Sequence, residues 1–359
     1  MQSQQPLHDA VMADDMPQIC RILTWKLIDP NKDYPRRLTE TGEMIRFMPP
    51  PLFLCRSAEA ARLLLVAGAN VEYEYQSDDN TMYGMPLHFA AEYGRDGVVA
   101  QLISVGANVN CRNCFGQTPL HLATSLACVR ILISAKADIH ALDDGGYTPL
   151  LAACLRPVEI VDALLREGAD IDHVPQNGVT ALYTACDYSQ YATAMLLLSS
   201  GADSNLSCCK HSYHRNGRGA LHAAVDPLRT ATGVCTFTAR ALARDEGTQF
   251  ELVVGAAHRQ QQLKLVEALV ANGAEVNRLD DEGCTPIMLT EDPGLIRQLY
   301  LVKADPDLGN AEHKSERWWS IVNEVCTKKR GLEYVHEREM GIDSTTEAWP
   351  RSMRLKGEL

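Results

Sequence analysis

The sequence predicts an all-α solenoid of about nine stacked helix–turn–helix units joined by β-hairpin fingers. Three observations carry this. A short motif recurs roughly every 33 residues along the 359-residue chain. Each motif is followed by apolar residues at helical spacing. Aromatics make up only 6% of the residues, with six Phe, so the core must be built from Leu, Val, Ile and Ala in small stacked helices.

The recurrence is plainest in GMPLHFAAEYG (84–94), GQTPLHLATS (116–125) and GYTPLLAACL (146–155). An apolar stretch ending in SVGANVN, SAKADIH or REGADID follows each. The leucine of the motif extends in both directions, to Leu7, Leu52, Leu87, Leu120, Leu150, Leu182, Leu221, Val254 and Ile287. The steps are 45, 35, 33, 30, 32, 39, 33 and 33 residues. A small residue three positions on permits close helix contact: Ala10, Ala90, Ala123, Ala153, Ala185, Ala224 and Ala257, with Cys55 a near substitute and Thr290 a departure. Second helices are expected in AARLLLVAG, VVAQLISVG, CVRILISAK, IVDALLREG, YATAMLLLSSG, LKLVEALVANG and LIRQLYLVK.

Motif and period together resemble the ankyrin repeat, with its Thr-Pro-Leu-His opening, over residues 6–308. The expected organisation is an N-terminal capping repeat at 1–30, a Pro- and charge-rich loop at 31–51 and the solenoid at 52–308. A C-terminal capping helix and tail follow at 309–359, with Trp318, Ile321, Val322 and Val325 on one helical stripe. Between 226 and 262 the pattern fades. The even spacing of Leu221, Val254 and Ile287 points to a degenerate repeat near 248–280 rather than an inserted loop. ELVVGAAHRQQQ would be its first helix, and CTFTARALARDEG the second helix of the unit before.

The N-terminus lacks a secretory pattern and no run of 18 apolar residues occurs, so no membrane span is expected. Twelve cysteines without an export signal imply reduced thiols and a cytoplasmic or nuclear setting. Cys20, Cys55, Cys128, Cys154, Cys186 and Cys326 stand among apolar or small neighbours, as core residues do. Net charge is −12; residues 311–359 hold nine acidic and nine basic groups, so the excess lies before them. An acidic body disfavours nucleic acid and suits a basic protein or peptide partner.

Catalytic signatures are missing: no nucleophile elbow, phosphate loop, HExxH or dinucleotide fingerprint. No cofactor is expected. His8, His88, His121 and His222 directly follow the motif leucine, and the resemblance implies that they cap their helices and tie neighbouring repeats. Cys208, Cys209, His211 and His214 form CCKHSYH, a weak zinc candidate. The CRNC pair, Cys111 and Cys114, sits three repeats away, too far to share an ion at about 10 Å per helix layer.

The resemblance implies binding through a concave side of finger tips and first helices. Its candidates here are Tyr73, Tyr75, Asp78, Asp79, Tyr83, Phe89 and Tyr93, then Arg112, Phe115, Asp143, Asp144 and Tyr147, then Asp187 and Tyr188. Tyrosines beside carboxylates suit a basic peptide, with rings for cation–π contact and carboxylates for pairing. The expected function is a protein-interaction scaffold or adaptor, monomeric and not an enzyme. The competing readings are a small-molecule binder or enzyme using the groove, a ubiquitin-ligase substrate adaptor, and a microbial host-directed effector. Ser320-Ile321 is followed by Val325, with Cys326 one place late for a SOCS box, so that box is not assigned. Asn110 and Asn277 resemble asparagines that a hydroxylase modifies in this family.

Overall fold

The computed structural model describes residues 5–24, 29–32, 34–35, 47–76, 83–206, 217–226, 256–310, 314 and 318–325. They fall into two compact units, Met1–Ile171 and Asp172–Leu359.

Among the described residues the N-terminal unit holds five helix pairs: α1 (Gln5–Met12) with α2 (Met16–Thr24), α3 (Pro51–Leu54) with α4 (Ala58–Val66), α5 (Pro86–Glu92) with α6 (Asp96–Ser104), α7 (Pro119–Leu122) with α8 (Leu126–Ser134), and α9 (Pro149–Ala153) with α10 (Val158–Arg166). First helices contact first helices and second helices contact second helices. The start of each first helix follows from its sequence. Pro51, Pro86, Pro119 and Pro149 occupy the opening turn, where no amide donor is needed. The motif leucines and the alanines three residues on are buried in this unit.

Two of its fingers carry paired strands. β1 (Tyr34–Pro35) pairs antiparallel with β2 (Phe47–Met48), so the expected loop at 31–51 has a hairpin base. β3 (Tyr75–Gln76) pairs with β4 (Tyr83–Gly84).

Adjacent pairs are tied by backbone-reading side chains. The His88 Nδ1 accepts from the Met85 amide at 3.1 Å, and its Nε2 donates to the Gln117 carbonyl of the next finger at 3.0 Å. His121 repeats this with the Thr118 amide and the Tyr147 carbonyl, at 3.1 and 3.0 Å. His8 reaches the Pro49 carbonyl at 3.1 Å. Amide donors and carbonyl acceptors fix the neutral tautomer with hydrogen on Nε2. Asn110 adds a second tie: its Nδ2 donates to the Lys136 carbonyl while its Oδ1 accepts from the Asp138 amide.

The C-terminal unit holds three pairs among the described residues: α11 (Ala181–Asp187) with α12 (Tyr191–Ser199), α13 (Ala220–Val225) with α14 (Ala256–Ala271), and the short 3-10 helix Pro286–Leu289 with α15 (Pro293–Leu301). A further helix, 318–325, buries Trp318, whose Nε1 donates to the Ile287 carbonyl at 3.0 Å. Of the expected stripe, Trp318 and Val322 are buried, whereas Ile321 and Val325 are half-buried.

The degenerate repeat expected near 248–280 falls partly outside the described residues. Residues 256–271 form one unbroken helix, and it packs on α13 and α12. The joint ties skip directly across: His222 Nε2 donates to the Cys284 carbonyl, and Asn205 Nδ2 to the Gly273 carbonyl. These are the bonds that join neighbouring pairs among the described residues. Residues 227–255, with Val254 and the second-helix candidate CTFTARALARDEG, lie outside the described residues.

Of the cysteines expected inside, Cys55, Cys128, Cys154 and Cys186 are buried, whereas Cys20 is exposed on α2. Cys326 lies outside the described residues. Among the described residues no helix is long and apolar enough to cross a membrane.

Candidate functional site

The expected binding residues divide into three groups, and only one of them faces outward on the fingers. The first is turned inward. Tyr75 and Phe89 are 5% and 2% exposed and form a cluster with Phe53 of α3. Phe53 sits edge-on to Phe89 at 4.9 Å between ring centroids, and Tyr75 lies 5.7 Å away. Tyr73, half-buried, meets Phe53 edge-on at 6.3 Å. This corrects the expectation that Tyr75 and Phe89 are open to a partner. The physical cause is Phe53, which stands where the motif places histidine. Without that tether the joint is closed by edge-on and tilted rings. Asp78 and Asp79 lie outside the described residues, as does the side chain of Tyr83.

The second group is structural loop chemistry. The Asp143 Oδ1 accepts from the Gly145 and Tyr147 amides at 2.9 and 2.8 Å, closing its own finger. Tyr147 is half-buried and lends its carbonyl to His121. In the C-terminal unit Asp187 is buried, although Tyr188 after it is exposed. For Asp143 and Asp187 the exposed role expected from sequence is therefore also corrected.

The third group faces solvent. Phe115 is 52% exposed at the tip of the fourth finger. Its carbonyl accepts from the Asp144 amide of the next finger at 3.0 Å. Arg112 bridges the same two fingers, donating to the Leu142 carbonyl at 2.7 Å and pairing with Asp144 at 3.1 Å. Leu142, not singled out in the sequence, is exposed beside them. Its signal was an apolar residue at the position where the preceding finger has Arg112. Gly116 makes this approach possible. Its φ of +72° suits glycine, and a Cβ there would run into the Asp144 carboxylate. Glu74 and Asp144 both act on the neighbouring exposed Cys114, raising its pKa after the larger effect of burial. One phenyl ring and one leucine side chain therefore stand exposed near acidic groups.

Tyr93, 53% exposed, is apart from these. It lies at the C-terminal end of α5, about 10 Å from the finger end at 1.5 Å per residue. Arg95 covers one side of its ring at 4.8 Å while donating to the Phe53 carbonyl at 2.8 Å. One face of that ring is already used.

The histidines do not form a relay. Burial lowers the pKa of His88 and His121, and takes His222 down to about 4, so all three are neutral struts at pH 7. The zinc candidates Cys208, Cys209, His211 and His214 lie outside the described residues. Among the described residues Asp280, Glu282 and Cys284 bring ligand atoms within 4.8 Å. Those atoms are committed: Asp280 Oδ1 accepts from the Glu282 and Cys284 amides, and Oδ2 from Arg218 Nε at 3.2 Å. Burial holds the Cys284 thiol protonated, its pKa pushed up to about 11. The group closes a finger, as Asp143 does.

A family model described as ankyrin repeats (3 copies) matches residues 52–143, 87–175 and 125–208. Residues 52–208 are ankyrin repeats. Human neurogenic locus notch homolog protein 1 is 34% identical over 125 residues, 33% of this chain and 5% of that protein. Human Rabankyrin-5 is 32% identical over 164 residues, 44% of this chain and 14% of that one. The matches thus span a small part of those relatives. The ankyrin repeat domain of Bcl-3 aligns at a TM-score of 0.47 with 24% identity, over 82% of this chain and 97% of that one. Ankyrin repeats generally mediate protein–protein interaction, and no catalytic family is indicated.

Proposed function

We propose that this protein is an interaction scaffold or adaptor that takes a basic segment of a protein partner on the finger tips of its N-terminal unit. The observation that carries the reading is Phe115, an aromatic ring left half in water beside Leu142 and the Arg112–Asp144 pair. Exposed aromatics held on a rigid backbone are enriched at interfaces, and they give large contact area at low entropic cost. Glu74 and Asp144 supply the local negative charge, and the −12 of the whole chain steers a basic segment toward it. The exposed Arg112–Asp144 pair is worth little to stability, so Asp144 is available to a competing guanidinium. The reading places the protein in the cytoplasm or nucleus, where its thiols stay reduced.

The test is capture from native cells with the wild type and with a Phe115→Ser, Asp144→Ala double variant, read by mass spectrometry. A partner held by the wild type and lost by the variant, at unchanged melting temperature, supports the finger-tip site. An identical set of captured proteins sinks it. The double variant avoids Tyr75 and Phe89, whose truncation would open the core.

A further inference from the structure

Arg112 stands where other fingers carry an apolar residue. Six residues before the caps Thr118, Thr148, Thr180 and Thr285 of the following first helices come Arg112, Leu142, Val174 and Leu279. The last three are exposed aliphatic side chains. A finger does not need an arginine there to stay joined to its neighbour. The Asp144 amide already donates to the Phe115 carbonyl at 3.0 Å. The finger carrying Leu279 meets its successor through the Asn310 amide and the Gly283 carbonyl at 2.8 Å.

What Arg112 fills is a pair of acceptors. Its Nη1 donates to the Leu142 carbonyl at 2.7 Å and its Nη2 to the Asp144 carboxylate at 3.1 Å. Both the Nη2 and that carboxylate lie over Gly116, where a Cβ would collide with the two of them. A backbone carbonyl, a carboxylate and a glycine without a side chain thus form a seat for one flat cation. A guanidinium fork spans both acceptors, whereas an ammonium is a single point and serves one. The present occupant is held loosely. The Arg112 and Asp144 side chains are 49% and 64% exposed, and an ion pair so open to water contributes little.

We infer that this seat anchors an arginine of the partner's basic segment, and that Arg112 is its resident competitor. The incoming guanidinium takes the Leu142 carbonyl and the Asp144 carboxylate, its aliphatic stem lies on Phe115 and Leu142, and the Arg112 head moves into solvent. This rests on the finger-tip reading and specifies the partner further. The segment carries arginine in preference to lysine, and Arg112 lowers the affinity of the face it belongs to.

The test selects a random-peptide phage library on the full chain, then measures one synthetic peptide from the wild-type pool by fluorescence anisotropy. The baits are the wild type, Arg112→Met, Arg130→Met, Asp144→Ala and Phe115→Ser. Arg130 is exposed on α8, so Arg130→Met removes the same charge away from the seat and controls for long-range steering. The wild-type pool is expected to favour arginine over lysine. The peptide should bind Arg112→Met roughly fivefold more tightly than the wild type, and Arg130→Met within about twofold of it. Asp144→Ala should weaken binding roughly tenfold, as should lysine in place of the peptide's arginine. Binding to Arg112→Met no tighter than to Arg130→Met overturns the resident competitor, and the finger-tip reading survives that result if Phe115→Ser still weakens binding. Equal binding of the arginine and lysine peptides overturns the guanidinium seat. A peptide indifferent to both Phe115→Ser and Asp144→Ala overturns the finger-tip reading and the seat with it, as does a library that yields no enrichment on any bait. Should Arg112→Met melt at a lower temperature than the wild type, Arg112→Gln carries the same comparison.

Discussion

Two neighbouring fingers of the N-terminal unit use aromatic rings in opposite ways. The finger before α5 sends Tyr75 inward onto Phe53 and Phe89. The finger before α7 leaves Phe115 half in solvent. The first helix beneath each finger explains the contrast. α3 has Phe53 where the motif calls for histidine, a side chain that cannot bond the next finger's backbone, and rings pack across the joint. α5 and α7 have His88 and His121, each of which holds the following finger by a carbonyl. A finger fastened by its backbone has its side chains to spare. The lesson is that an aromatic residue on a finger is a binding candidate only where the joint below is already tied.

This comparison can be broken at its strongest point first. Phe53→Ala removes the central ring of the cluster, and large-to-small changes of this kind cost about 3–5 kcal/mol. Urea unfolding at pH 7.5 should show that loss, and the same loss at pH 5.5, since no titrating group lies in the cluster. A cost below about 1 kcal/mol would mean the rings do not hold the joint.

His121→Ala should cost less, about 1–3 kcal/mol, because it leaves the Tyr147 carbonyl and the Thr118 amide without their partner. Little or no destabilisation in the same urea assay would show that the histidine tie is dispensable.

The tied joints should also weaken with acid, whereas the aromatic joint should not. His222 has its pKa lowered from 6.5 to about 4 by burial. Above pH 6.5 it is neutral whether folded or unfolded, so its contribution is fully present. As pH falls below 6.5 the unfolded chain takes up a proton that the folded one refuses, and stability drops. The loss is about 1.4 kcal/mol per pH unit and levels off near pH 4. His88 and His121 shift in the same direction. Between pH 7.5 and 5.5 the His222→Phe variant should therefore lose less stability than the wild type. Parallel pH curves for the two would contradict the buried neutral histidine.

The smallest effect is expected at the finger carrying Phe115. Phe115→Ala should change stability by no more than about 0.5 kcal/mol, as surface substitutions do. A larger loss would show that Phe115 is packed like Tyr75.

Much of the frame was legible because it depends on residue type and spacing. Leu7 to Leu221, their partner alanines and the tying histidines all sit where the repeat demands. What misled was coincidence and context. The interval from Leu221 to Ile287 equals two ordinary repeats, yet His222 donates directly to the Cys284 carbonyl. Phe89 occupies a position that is half-buried in most of the described pairs, and Phe53 next door buries it fully.

The central claim is that partners meet the finger carrying Phe115. The most direct test places a photo-crosslinking amino acid at position 115 and, separately, at Val66, which is 77% exposed on the second-helix side of the same unit. After irradiation in native cells, a discrete crosslinked partner from position 115 and none from position 66 is the predicted result. Crosslinks from position 66 with none from 115 would contradict it.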